Sequence, residues 1–303
     1  MADRRVPKAG VRSGRTEPND AFPAGERSIA AREVSLAGER VRIVEAGDPG
    51  AFPVLLLHGW GASAYNFRAI LGRLADAGLR AMAPDLRGHG WSETRLPAGA
   101  WAADAVVGWV GALLDTLGVS RCVVVGQSIG GAIALDCAVR MPQRVGGAVL
   151  LSPIGFTPVR RVLLARWFRW WRPSTTPRWM VAAILRRIYG TRGRWTAHDL
   201  QEYWLPLRRG EVVSALLQSA REFDFTLRDP GTVPAGLGPL VIRFGELDRL
   251  IPSAAAVAHA RRIPGADVAV LPGVGHVPAE EVPDEIATLI ERVARDVEEA
   301  ERG

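Results

Sequence analysis

Cysteine is scarce in this 303-residue chain, which has only Cys122 and Cys137. Two are too few for a disulfide framework, and both fall in apolar stretches, so they read as buried thiols. His, Cys, Asp and Glu are nowhere clustered at metal-ligand spacing, so no metal or other cofactor is expected. No apolar run is long enough to span a bilayer. Arg4 and Arg5 stand near the start, but no apolar segment follows, so neither a secretory nor a twin-arginine signal is expected. The compartment these absences suggest is the cytoplasm. No internal repeat is visible.

What the chain does carry is unevenly spread. Its formal charge is +6. Residues 1–28 are polar and non-periodic, with six basic and four acidic side chains, and are expected to form a disordered arm. Residues 153–236 hold fourteen arginines against six acids, so the basicity belongs to one segment.

The stretch that organises the rest is Val123-Val124-Val125-Gly126-Gln127-Ser128-Ile129-Gly130-Gly131. A β-branched run reads as a buried strand, and Ala132, Ile133, Ala134 and Leu135 continue beyond it as a helix. Strand, tight turn and helix around Gly-x-Ser-x-Gly is the setting of a nucleophile elbow. The two glycines let strand and helix approach, and the serine is expected in a strained backbone conformation. The bland alternative is that Ser128 simply caps the helix.

Around this stretch, apolar periodicity alternates between strands and helices. Val34, Leu36, Val41, Ile43 and Val44 suggest a hairpin turning at Ala37-Gly38. Strands follow at 54–57, 79–83, 123–127 and 147–151, with helices at about 65–77 and 101–117 between them. The alternation stops at Ile154 and resumes at Pro239, with strands at 239–244 and 268–271 and a last helix over about 284–300. This pattern predicts an α/β fold, a mostly parallel sheet with helices on both faces. The expected division is a core of 29–152 with 237–303, interrupted by an insertion over 153–236.

Five motifs end predicted strands in order: HGWG at 58–61, DLRGHGWS at 85–92, GQSIGG at 126–131, GELDRLIP at 245–252 and GVGH at 273–276. Together they resemble the α/β-hydrolase fold superfamily, and within it the capped serine hydrolases of the carboxylesterase or lipase kind. The resemblance covers nearly everything from Arg32 onward. It implies a triad in the order Ser128, Asp248, His276. The chemistry agrees. A serine hydroxyl needs a base within reach, and the imidazole needs an acid to hold its tautomer. Rival histidines are His58 and His89, which precede the elbow, and His198 and His259, in the insertion and an alanine-rich helix. Glu246 is the rival acid. The tetrahedral oxyanion needs two donors. Ile129 N–H is one, and the resemblance implies Trp60 N–H as the other. A serine at the elbow, where epoxide hydrolases and dehalogenases of this fold carry aspartate, implies an acyl-enzyme.

The resemblance also implies that the insertion forms a helical cap over the site. Six of the ten tryptophans lie there. A helical wheel over 160–172 groups Leu163, Leu164, Trp167, Phe168, Trp170 and Trp171 opposite Arg161, Arg166, Arg169 and Arg172. Trp60, Trp167 and Trp170 are therefore candidate contacts for a bulky apolar substrate, a small-molecule ester. The basic face could instead rest on anionic lipid, which would make the enzyme membrane-peripheral. No nucleic-acid recognition module accompanies it. Three functions remain open: an esterase, a carbon–carbon bond hydrolase with the same triad, or a non-catalytic binding protein on this fold.

Overall fold

The strands form where β-branched and leucine-rich runs demand burial on both faces. The computed structural model describes residues 29–158, 176–234 and 236–302. The arm expected over 1–28 and the basic helix over 160–172, including Trp167 and Trp170, lie outside the described residues. The hairpin is β1 (Ala30–Leu36) and β2 (Glu39–Ala46), antiparallel, with Val34 opposite Val41. It turns through Ala37 and Gly38 at φ of 49° and 87°, left-handed values that match the twist of the two strands.

The remaining strands are β3 (Phe52–Leu57), β4 (Leu79–Pro84), β5 (Cys122–Gln127), β6 (Val145–Leu151), β7 (Leu240–Gly245) and β8 (Asp267–Leu271). They run parallel to one another, while β2 pairs antiparallel with β4, in the order β1-β2-β4-β3-β5-β6-β7-β8. The helices are α1 (Arg68–Asp76), α2 (Ala103–Thr116), α3 (Ile129–Arg140), α4 (Arg178–Ile188), α5 (Ala197–Leu207), α6 (Gly210–Glu222), α7 (Ser253–Ala260), α8 (Pro278–Glu281) and α9 (Pro283–Arg302).

Side chains alternate across the sheet with the period of a strand. Val54 and Leu56 pack with α1 and α9 on one face; Leu55 and Leu57 pack with α2, α3 and α7 on the other. The chain leaves β3 to form β4 on one side and then returns to form β5 on the other. The crevice between the carboxyl ends of β3 and β5 is thus a topological switch point, where α/β sheets take their ligands.

Helices α4, α5 and α6 sit between β6 and β7, in the basic segment. They gather an apolar cluster of their own, with Val181, Leu185, Val212 and Leu216 packed against Val277. Most boundaries shift by a residue or two from the sequence reading, and three of the differences have a local cause. The helix expected over 65–77 opens as a 3-10 turn, Ala64–Phe67, because the Ser63 hydroxyl caps Tyr65 N–H at 3.3 Å. Strand β6 begins at Val145 rather than Gly147, since Gly146 and Gly147 pack edge-on beneath Val293 and Val297. The last helix is preceded by the single turn α8, from which Pro283, lacking an N–H, separates it.

Candidate active site

Ser128 sits at φ 57° and ψ −114° between β5 and α3. A side-chain-bearing residue there stores roughly 1–3 kcal/mol of backbone strain, so the surroundings must enforce it. They do so by close approach. A Cβ on Gly126 would lie 2.1 Å from the Gly130 carbonyl oxygen, and one on Gly130 would lie 2.0 Å from that of Leu57. Only glycine fits either place. Ser128 occupies the N-cap position, yet its side chain makes no capping bond to α3. The hydroxyl is therefore not spent on the helix, and the bland capping reading fails.

The HGWG loop after β3 lies against the elbow: a Cβ on Gly59 would be 3.4 Å from Ser128 Cβ. Ile129 is the first residue of α3, so its N–H has no intrahelical acceptor. The Trp60 indole N–H donates to Ser219 Oγ at 3.0 Å and to the Leu216 carbonyl at 3.3 Å, both on α6. Its ring thus joins this loop to the inserted helices, a tie that the sequence reading did not anticipate.

Loops after β7 and β8 bring Asp248 and His276 together. Asp248 Oδ2 bonds His276 Nδ1 at 2.7 Å, and Asp248 Oδ1 accepts the N–H groups of Leu250 and Ile251 at 2.8 and 2.9 Å. Burial pushes the Asp248 carboxyl up. His276 and the two N–H donors outweigh burial and hold it below the ordinary aspartate value. The His276 backbone is fixed at both ends. Its N–H donates to the Ile188 carbonyl at 2.6 Å, and its carbonyl accepts from Gln127 Nε2. Gln127 precedes Ser128, so one side chain links elbow and histidine loop. The residue was visible inside the motif, but nothing in the sequence indicated that link.

The rivals have other occupations. Glu246 Oε2 accepts the Gly273 N–H at 2.8 Å. His58 is fully buried, with Nε2 accepting from Leu86 N–H at 2.9 Å and Nδ1 donating to the Gly59 carbonyl at 2.7 Å. His89 is equally buried, and desolvation, helped by His58, lowers its pKa to about 3. His259 bonds the Arg228 carbonyl at 2.7 Å, and His198 stacks edge-on to Tyr65. Among the described residues, no group of three or more His, Cys, Asp or Glu is placed to hold a metal ion. No helix of the described residues is long and apolar enough to cross a membrane. A surface hollow of about 240 Å³, lined by Phe52, Leu79 and Arg295 among others, opens at the amino ends of β3 and β4, away from Ser128.

Comparison with known proteins identifies the family. The model of the alpha/beta hydrolase family matches residues 54–289. The dihydrolipoyllysine-residue acetyltransferase component of the acetoin cleaving system of Cupriavidus necator is 33% identical over 275 residues, covering 89% of this chain and 71% of that protein. The 2-hydroxymuconate semialdehyde hydrolase of Pseudomonas putida is 28% identical, covering 86% of this chain and 92% of that one. The pimeloyl-[acyl-carrier protein] methyl ester esterase of Aromatoleum aromaticum is 32% identical, covering 80% and 98%. Matched by the family over most of its length and similar to named hydrolases and esterases, the chain belongs to the alpha/beta hydrolase family and is an α/β-hydrolase enzyme.

Proposed function

We propose that this enzyme is a serine hydrolase that cleaves the carboxylic ester of a bulky apolar substrate through an acyl-enzyme. The observation that carries the reading is the buried pair of His276 and Asp248, with Gln127 tying the histidine loop to the strained elbow serine. Ser128 Oγ attacks the ester carbonyl while His276 Nε2 takes its proton. Asp248 holds Nδ1–H and stabilises the imidazolium as it forms. The tetrahedral oxyanion lies between the N–H groups of Ile129 and Trp60. The alkoxide then leaves with the proton from His276. Water, activated by the same imidazole, releases the acid and restores Ser128. The inserted segment covers the site as a cap, with Trp60 against the substrate; the tryptophan content of 153–236 supports an apolar one.

A fluorophosphonate probe tests the nucleophile: wild type labels and Ser128→Ala does not. A p-nitrophenyl ester series then tests the pocket, with octanoate expected to exceed acetate in kcat/KM. Labelling that persists in Ser128→Ala overturns the assignment, and a preference for acetate overturns the bulky apolar substrate. Similarity to the 2-hydroxymuconate semialdehyde hydrolase supports a second reading, a carbon–carbon bond hydrolase with the same three residues. Turnover of a diketone-like substrate well above that of any ester favours it.

A further inference from the structure

Besides Asp248, Gln127 and Glu246, a further side chain closes on the histidine loop, from a helical turn that carries no motif. Glu281 ends the single turn α8, and its carboxyl group is buried. Glu281 Oε1 accepts the N–H of Gly275, the residue before His276, at 2.7 Å. Glu281 Oε2 accepts the N–H of Gly190, just beyond α4 in the inserted segment, at 2.7 Å. Thus one carboxylate spans two backbone strands. These strands touch directly as well. His276 N–H donates to Ile188, and Thr191 N–H donates to the Gly273 carbonyl at 2.8 Å. A Cβ on Gly275 would lie 2.3 Å from the Ile188 carbonyl oxygen, so no side chain can come between.

We infer that Glu281 is a positioning residue: by bridging Gly190 and Gly275 it makes the seating of the inserted segment and the placement of His276 a single event. This rests on the reading of His276 as the general base. Glu281 does not touch the imidazole, whose Nδ1 belongs to Asp248. It acts on the backbone that carries it. Burial in such a site pushes a carboxyl up, as it does Glu281, and the two N–H donors work against that rise. A bridge made by a carboxylate is more demanding than one made by an amide. Glutamine offers a single acceptor oxygen, and its NH2 group would face the second N–H donor to donor. The loop is therefore released on one side even though the side-chain shape is kept.

The neighbouring Glu280 supplies the control. It holds the inserted segment through the Tyr189 and Tyr203 hydroxyls but makes no bond to the histidine loop. With the full chain and p-nitrophenyl octanoate, kcat and KM are measured across pH for wild type, Glu281→Gln, Glu281→Asp and Tyr203→Phe. Glu281→Gln is expected to lower kcat roughly 10- to 100-fold, the range for a misplaced catalytic group, with KM changed much less. The acid limb of its kcat/KM profile should move, because the carboxyl that holds the histidine loop is gone. Glu281→Asp, a methylene short of spanning both donors, should recover part of kcat. Tyr203→Phe should lower the Tm and leave kcat and the acid limb in place. Wild-type kcat and pH profile in folded Glu281→Gln overturn the inference, as does an equal loss of kcat in Tyr203→Phe. Should Glu281→Gln not fold, Glu281→Asp is read by the same criteria. Wild type that fails to label with fluorophosphonate brings down the serine hydrolase reading and this inference together. Normal labelling lost in Ser128→Ala, beside an unaltered Glu281→Gln, brings down only the inference.

Discussion

The sheet and the inserted helices hold themselves in place by different means. At the carboxyl ends of the strands, position is set by backbone contact. Gly126, Gly130 and Gly245 press against carbonyl oxygens at distances no side chain could tolerate, and the strands between are buried on both faces. The inserted helices have a small apolar cluster and, apart from the backbone contact of Ile188 to Thr191 with the histidine loop, attach to the core through polar side chains. Glu280 is the centre of that attachment, accepting from Asn66 and Tyr189 at 2.7 Å each, and from Tyr203 and Arg68. Arg68 also pairs with Asp199 of α5 at 2.8 Å, and Asp199 accepts the Tyr65 hydroxyl at 2.7 Å. Backbone contact cannot be altered without unfolding, whereas side-chain contact can be exchanged. A fold that places its strand-end loops by the first means and its inserted helices by the second can keep the loops while the insertion changes.

Breaking the polar attachment should give the largest effect. In Glu280→Ala, Arg68 keeps Asp199 but loses its fully buried partner, and three neutral donors lose their acceptor. Removing one side of a buried ion pair costs about 3–5 kcal/mol, and the surviving Asp199 contact points to the lower end. Amide hydrogen exchange distinguishes two outcomes. Faster exchange confined to residues 178–222, with β5 and β6 still protected, means that the insertion opens alone. Equal loss of protection in both means that the chain unfolds as one unit.

These two means of attachment also explain what could be read from the sequence. The strands, the hairpin turn and the elbow were legible because each rests on a local signature: a β-branched run, Ala37-Gly38, or glycine beside serine. The candidates Ser128, Asp248 and His276 were legible for the same reason, as each closes a strand. The Glu280–Glu281 pair was not. Pro278-Ala279-Glu280-Glu281 reads as an ordinary solvated helix start, and its partners Arg68, Tyr189 and Gly190 lie far away in the chain. Nothing in a local window distinguishes a carboxylate in water from one that, like Glu280, four distant residues enclose. Likewise, Trp60 announced an aromatic ring beside the site but not that its N–H would reach α6. Long-range polar contacts carry no periodicity, so they become visible only when the fold brings the elements together.

Acid sharpens the comparison from the other side. His58 and His89 are buried in the core with lowered pKa values, in both cases mainly through burial, and His89 titrates at about 3 when folded. In the unfolded chain both return to about 6.5. Between those limits the unfolded state binds protons that the folded state refuses, so stability falls as pH falls. For His89 alone the slope approaches about 1.4 kcal/mol per pH unit. Asp199 in the attachment acts in the same direction over a lower range. Burial pushes it up, but Arg68 and the Tyr65 and Thr196 hydroxyls hold it below the ordinary aspartate value, so its contribution is whole above that ordinary value and is lost as the pH falls through the lower, folded one. Urea unfolding at pH 7, 6 and 5 should therefore show declining stability set by the core. A flat profile over that range would mean that the two imidazoles take up protons as readily in the folded protein as in the unfolded chain.

The smallest expected effect comes from Trp60, which joins both regions through its indole N–H. Trp60→Phe keeps an aromatic ring in the HGWG loop and keeps the backbone N–H proposed for the oxyanion. It removes the indole donor to Ser219 Oγ and Leu216. Ser219 Oγ still donates to the Leu216 carbonyl at 2.8 Å, so no buried group is left without a partner and the cost should be about 1 kcal/mol. If backbone contact alone fixes the HGWG loop, kcat for p-nitrophenyl octanoate stays near that of wild type, and only KM rises as α6 shifts over the pocket. A fall in kcat of tenfold or more would carry a different lesson. The oxyanion donor would then be held from the insertion as well as from the sheet, and the division between rigid loops and exchangeable insertion would not hold at Trp60.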